Sequence, residues 1–186
     1  MKKKLLLFCI PFLISTGLFA QDTTSYLKAK QLKINAEVIG GSFSYEAKVS
    51  QTNTMYFEAG AQYGISYRYS SDFGNDYRYA FSPLISIEGR HYYHFKERIA
   101  KHKDINNNAS NFWFLRTGYT FKPLSQTAGY TFSDALSVMP GWGIQRNLGT
   151  HFSMEVQLGV PVNYYPADNS WYVGPGGGFK IGYVFK

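Results

Sequence analysis

His151, Ser153 and Glu155 stand at two-residue steps in a stretch that alternates apolar and polar residues. A strand turns successive side chains to opposite faces, so these three share one face. A serine, a histidine and an acid are the elements of nucleophilic hydrolysis. Same-face spacing in a strand also arises easily by chance, so no enzymatic activity is expected. His91, His94 and His102 have no spacing that suits a metal, because His91 and His94 fall on opposite faces of one strand. No phosphate loop, calcium loop or zinc motif occurs. No catalytic, cofactor or metal site is therefore predicted.

The other chemistry-bearing residues are charges. Glu46, Lys48, Glu58, Glu88, Arg90, Arg116, Glu155 and Lys180 all sit on the polar face of alternating stretches. If that face is enclosed, the charges must pair. They then form either a gated pore with exchangeable ion pairs or a static plug that fixes register.

The elements that carry them are strands. Alternation runs through 31–39, 42–49, 54–69, 78–95, 111–122, 134–147, 151–164 and 171–186. In the last, Trp171, Val173, Pro175, Phe179, Ile181, Tyr183 and Phe185 oppose a small or polar series. Gly40-Gly41 is a hairpin signal, although 31–49 also reads as one long strand with a bulge. Ser70–Tyr77 and Pro123–Ser133 read as loops, and 147–150 as a tight turn. Residues 96–110 break the rhythm. They are basic and longer than a usual barrel turn, with a helical turn possible at 96–102. Such a segment is either a solvated loop or a contact for anionic headgroups or a partner. No helical period is long enough to make a layer, so the class is all-β, sandwich or barrel.

The chain opens with three lysines, an uncharged run Leu5–Phe19 and then Ala20. That is the pattern of a cleaved signal peptide, residues 1–20. The run is shorter than the ~20 apolar residues of a membrane helix and carries Pro11 and Gly17. Residues 21–30 form a polar lead-in and 31–186 a single domain. Cys9, the only cysteine, lies in the leader, so the mature chain has no disulfide. The net charge of +7 includes Lys2, Lys3 and Lys4 and is too dispersed for a nucleic-acid partner. A mean hydropathy of −0.26 does not exclude a membrane, because alternation cancels in a window average.

Two patterns suggest that the apolar face meets lipid. The polar face is rich in glycine, including Gly60, Gly64, Gly118, Gly141, Gly143, Gly159 and Gly182. Small residues inside a narrow barrel leave room for long charged neighbours. On the apolar face aromatics gather at strand ends and aliphatics in the middle, as in Phe152, Met154–Val162, Tyr164. Aromatic girdles around an aliphatic band suit a bilayer. Bacterial barrels have an even strand count. That parity makes Gly40-Gly41 a turn and gives a single eight-stranded antiparallel up-and-down transmembrane β-barrel. Ser153 then points into the lumen near the periplasmic end, away from the lipopolysaccharide leaflet.

The leader, Gly40-Gly41, Tyr45-Glu46, the run EGRHYYHFKERIAKHKD over 88–104 and the closing IGYVFK over 181–186 resemble small outer-membrane β-barrel proteins of the Bacteroidota. The architecture is similar to the OmpA/OmpX type. The resemblance implies a bacterial outer-membrane location, with outer-membrane lipid and lipopolysaccharide as surroundings. It implies no activity. Phe179, Ile181, Tyr183 and Phe185 resemble the insertion signal read by the barrel assembly machinery. The expected role is structural or surface-interacting, in a monomer with a plugged lumen and specificity in the two loops named above. The alternatives are a secreted, lipocalin-like barrel binding an apolar ligand and a barrel-borne lipid hydrolase.

Overall fold

The computed structural model describes residues 26–70, 74–129 and 131–185. The expected signal peptide and residues 21–25 of the lead-in lie outside these. The strands are β1 (Lys30–Glu37), β2 (Gly40–Lys48), β3 (Asn53–Ser70), β4 (Gly74–Tyr92), β5 (Asn111–Thr120), β6 (Ser125–Gln126), β7 (Ala135–Leu148), β8 (Phe152–Gly159), β9 (Val162–Tyr165), β10 (Ser170–Val173) and β11 (Gly176–Phe185). A short helix α1 (Phe95–Ala100) and a 3-10 turn (Asn106–Asn108) separate β4 from β5.

All the described strands join one antiparallel sheet, in the order β10-β9-β7-β5-β4-β3-β2-β1-β11-β8, with β6 beside β4. β8 also pairs with β7, so the path from β7 through β5, β4, β3, β2, β1 and β11 to β8 returns to β7. Hairpin neighbours account for most of the pairings. The β1–β11 contact brings the two ends of the domain together.

Several boundaries differ from those read in the sequence. Residues 151–164 and 171–186 each divide in two, at Pro161 and Pro175. β7 meets β8 and β9 in one unshifted register, from Leu148 opposite Phe152 to Leu136 opposite Tyr164. The same holds where β9 meets β10 and β8 meets β11. No residue is inserted at either break. Each proline simply lacks the N–H that would continue the ladder.

The first hairpin turns at Val38-Ile39, with Glu37 opposite Gly40, so Gly40-Gly41 belongs to β2. Glycine is required at 40 by a close approach: a Cβ there would lie 2.3 Å from the Ala61 carbonyl oxygen. Ser70 and Gly74–Tyr77 of the expected Ser70–Tyr77 loop belong to strands, because β3 and β4 pair out to Ser70 opposite Gly74; residues 71–73 lie outside the described residues. The Tyr67 and Tyr77 rings, 5.0 Å apart, hold this extension. The turn expected at 147–150 becomes Gly149–His151, with Gly149 at φ 77°. Phe95 leaves the fourth strand and starts α1.

The alternation gives the sheet two unlike faces. One is buried and largely polar, carrying Gln31, Lys33 and Asn35 from β1 and Ser42, Ser44 and Glu46 from β2. The other exposes large apolar residues such as Leu32, Ile34, Phe43, Ile85, Leu115 and Leu158. An apolar cluster closes one end of the interior: Leu27, Tyr92, Phe95, Phe112, Phe114 and Met139. The interior glycines leave room for these rings as well as for charges. A Cβ on Gly143 would meet the Phe112 ring, one on Gly141 the Phe114 ring, and one on Gly182 the Asn35 side chain.

Candidate functional site: a buried ion-pair network

Alternation on eight neighbouring strands sends charged and amide side chains into one enclosed space. Arg90 on β4 is its hub. Its guanidinium donates to Glu88 at 2.6 Å and to both carboxylate oxygens of Glu155 at 2.9 and 3.0 Å. It lies over the Tyr56 ring, 3.8 Å from the centroid, and 4.6 Å from that of Phe112. Arg116 donates to the other oxygen of Glu88 at 2.8 Å and also to Gln157. Gln157 in turn donates to Glu88 and Glu155.

A second lobe is built on Lys180 of β11. Its ammonium donates to Glu58 at 3.0 Å and to the Tyr56 hydroxyl at 3.2 Å, and lies 3.7 Å from Glu155. Ser42 donates to Glu58 at 2.7 Å, and Asn35 donates to Ser42. Lys33 lies 3.6 Å from Glu46 and donates to Gln145 at 3.2 Å. Thr54 and Tyr92 donate to Glu46 at 2.8 and 2.7 Å. Four acids thus face four bases, and neutral groups add further hydrogen bonds to the carboxylates, although Glu46 Oε2 has only the Lys33 ammonium beside it, at 3.6 Å. Low surrounding polarity makes such pairs strong and makes an unpaired member costly.

Seven of the eight charged residues expected here come together: Glu46, Glu58, Glu88, Arg90, Arg116, Glu155 and Lys180. Lys48 does not. It stands exposed at the last residue of β2, opposite Thr54, where the strand runs out of the enclosed space. Lys33, only 2% exposed, takes a place the sequence reading left unassigned. Its position between Gln31 and Asn35 on a polar face was the available signal. Tyr56, Tyr92, Gln145 and Gln157 complete the network. Beside Arg116 the interior opens into a polar cavity of about 140 Å³ lined by Glu37, Glu58, Gln62 and Ser137.

The segment 96–110 covers the other end, so it is not a loose solvated loop. Asn107, Asn108, Ala109 and Ser110 are buried. Gln145 donates to the Asn107 carbonyl, and Asn107 donates to Asn147 at 2.7 Å. Lys28 ties the lead-in to this cap through Asn107 and Asn108, at 2.6 and 2.9 Å. Lys96, Lys101, His102 and Lys103 remain exposed on its outside.

Asp104 braces the cap. It accepts from the Asn106 amide and from the Asn147 side chain, both at 2.8 Å. These bonds, the amide first, hold its carboxyl below the usual aspartate value of about 3.9. A depressed folded value makes the contribution complete above the usual value and lost as pH falls through the folded one. The Asn106 amide resonance is therefore expected to titrate with a midpoint below about 3.9. A midpoint at or above that value would mean the brace is absent.

The candidate hydrolytic set does not assemble. His151 sits in the turn before β8, stacks on the Tyr183 ring at 5.6 Å and bonds Thr150 through Nδ1. Ser153 is buried, and Glu155 is occupied by Arg90 and Lys180. His91 bonds Asn53, and His94 pairs with Glu97 at 2.7 Å. Among the described residues no cluster of three His, Asp or Glu could hold a metal ion. Phe179, Ile181, Tyr183 and Phe185 line one exposed face of β11, whose other face carries Lys180 and Val184 inward. Comparison with family models, with curated proteins and with solved structures finds no match.

Proposed function

We propose that the protein is an integral outer-membrane β-barrel with a structural or surface-interaction role and a lumen sealed by its own side chains. The observation that carries this reading is the inversion of the two faces. The enclosed face holds a compensated network of charges, while the exposed face is a continuous apolar surface. Water would favour the opposite arrangement; a bilayer favours this one.

The unshifted registers support counting β8 with β9 and β10 with β11 as single strands. The returning path has eight members, and β9 and β10 then count as continuations of two of them; eight is the number at which side chains fill the interior. Aromatics near strand ends fit interfacial girdles. Trp142 donates to the Tyr93 hydroxyl, and Tyr93 stacks on Trp113 towards one end. Tyr164 and Trp171 pair towards the other. In this reading a signal peptide exports the chain, the barrel assembly machinery reads the apolar face of β11, and the product is a monomer.

The surface role is drawn to the β3–β4 ribbon. β2 leaves β3 at Gln62 and β5 joins β4 only from Leu84, so beyond these residues the two strands pair chiefly with each other. This ribbon carries Tyr67, Tyr69 and Tyr77 in the open. Paired aromatics on a stiff ribbon are economical contact groups.

Two measurements test the reading. After cell fractionation the protein should stay with the membrane until detergent is added, whereas a lipocalin-like binder would be found in the aqueous phase. In a planar bilayer the protein should give no stable single-channel steps. Such steps would replace the sealed lumen with a pore.

A further inference from the structure

Arg98 of α1 and Arg146 of β7 come from distant parts of the chain and line one small cavity of about 80 Å³, with Lys101 and Lys103 at its edge. Arg98 is buried and donates through Nε and Nη2 to the Asp104 carbonyl, at 3.2 and 2.5 Å. Arg146 donates to the Gln145 carbonyl and to the Asn111 amide oxygen, both at 2.7 Å. Every acceptor is neutral. The only acid lining the cavity, Glu97, is held by His94 at 2.7 Å. Among the described residues neither arginine forms a salt bridge; the Asp104 carboxylate acts on Arg98 from beyond ion-pairing distance, and Arg146, penalised first by burial, also faces the like charge of Arg98. Inside the barrel each of Arg90, Arg116 and Lys180 has an acid. Two guanidinium groups converging on a void whose one acid, Glu97, is paired with His94 are the exception, and an anion between them would relieve the repulsion.

The location narrows the anion. Arg146 lies on the same outward face of β7 as Trp142, four residues on. Trp142, Tyr93 and Trp113 form the aromatic group at this end of the sheet. In the membrane reading that group marks the interface, and Arg146 and α1 lie beyond it at headgroup level. Planar guanidinium forks fit the oxygens of a phosphate group.

We propose that this cavity is a binding site for a phosphate oxyanion, filled in the membrane by the phosphate of an anionic phospholipid. The lipid source rests on the membrane reading. The oxyanion site rests only on Arg98 and Arg146.

The test uses the full chain in a neutral detergent. Phosphatidylglycerol and phosphatidylcholine of the same acyl chains are titrated in mixed micelles, with retention read by native mass spectrometry. Inorganic phosphate is titrated separately, read by the emission of Trp113 and Trp142. Arg146→Gln and the pair Lys101→Gln/Lys103→Gln are compared, with circular dichroism as a fold check. Arg98 is left in place because it also holds the cap. Phosphatidylglycerol is expected to bind about tenfold more tightly than phosphatidylcholine, and each lost charge to weaken it about fivefold. Phosphate binding without lipid preference would overturn the lipid source. No phosphate binding and equal retention of both lipids would overturn the site. A protein that stays soluble without detergent yet binds phosphate through Arg146 would sink the membrane reading and leave the site standing.

Discussion

Arg90→Met is expected to cost about 3–5 kcal/mol of stability, the range for breaking a buried ion pair from one side. Methionine fills much of the space of the arginine stem. It leaves Glu155 with one distant cation, Lys180 at 3.7 Å, and Glu88 with Arg116 as its one cation, the Gln157 amide aside. It also removes the cation lying over Tyr56 and Phe112. The damage should therefore come from stranded carboxylates and not from lost volume. The double variant Arg90→Met/Glu155→Met separates these causes. Removing both partners deletes the unpaired charge, so most of the loss should return. Urea unfolding of protein refolded into lipid vesicles, followed by tryptophan emission, measures both. A loss below about 1 kcal/mol for the single variant would mean that water reaches the network, as surface pairs of that strength do. The sealed lumen would then fall.

The same network marks where the sequence could be read and where it could not. Alternation assigns a residue to a face, and that much was legible: Glu46, Glu58, Glu88, Arg90, Glu155 and Lys180 are all inward. Alternation does not assign a height. Lys48 and Lys33 lie on equivalent faces of neighbouring strands, yet Lys48 is at a strand end and Lys33 is paired with Val184 and Ser44 in the middle. Only the register between strands separates them. Turn chemistry misled for a related reason. Gly40-Gly41 looks like a turn because glycine favours turns, but Gly40 serves a contact with Ala61 on β3, which no local rule contains. Gly74, Asn75 and Asp76 read as part of a loop, yet they pair with Ser70, Tyr69 and Arg68, and the Tyr67–Tyr77 pair across the ribbon offsets their low strand propensity. The basic run 96–110 hid its structural part. The charges are what composition reports, whereas the buried residues that close the interior are Asn107, Asn108 and Ser110. Alternation with Arg116 puts Phe112 and Phe114 on the inward face, but the core they make with Leu27 and Phe95 depends on the chain folding back over the end of the sheet.

Leu158→Arg is expected to separate a membrane from water more sharply than any loss inside the buried network. Leu158 is 58% exposed on the outward face, midway between Phe152 and Tyr164. In a bilayer that is the middle of the apolar band, where an arginine on a barrel's lipid face costs about 2–4 kcal/mol. In water the same change on an exposed strand position stays within about 0.5 kcal/mol and improves solubility. The sign of the practical outcome therefore reverses with the surroundings. Unfolding in vesicles compared with unfolding in a lipid-free buffer gives the two values for one variant. Cysteines at neighbouring positions supply the geometric control. A membrane-soluble maleimide should label Val156→Cys and spare Gln157→Cys, because Gln157 is buried against Glu88 and Glu155. Near-zero cost for Leu158→Arg in vesicles, together with labelling of Val156→Cys by a water-soluble reagent, would place the apolar face in water. The exposed Leu, Ile, Phe and Trp side chains would then need a protein partner to cover them, and the outer-membrane reading would have to be abandoned.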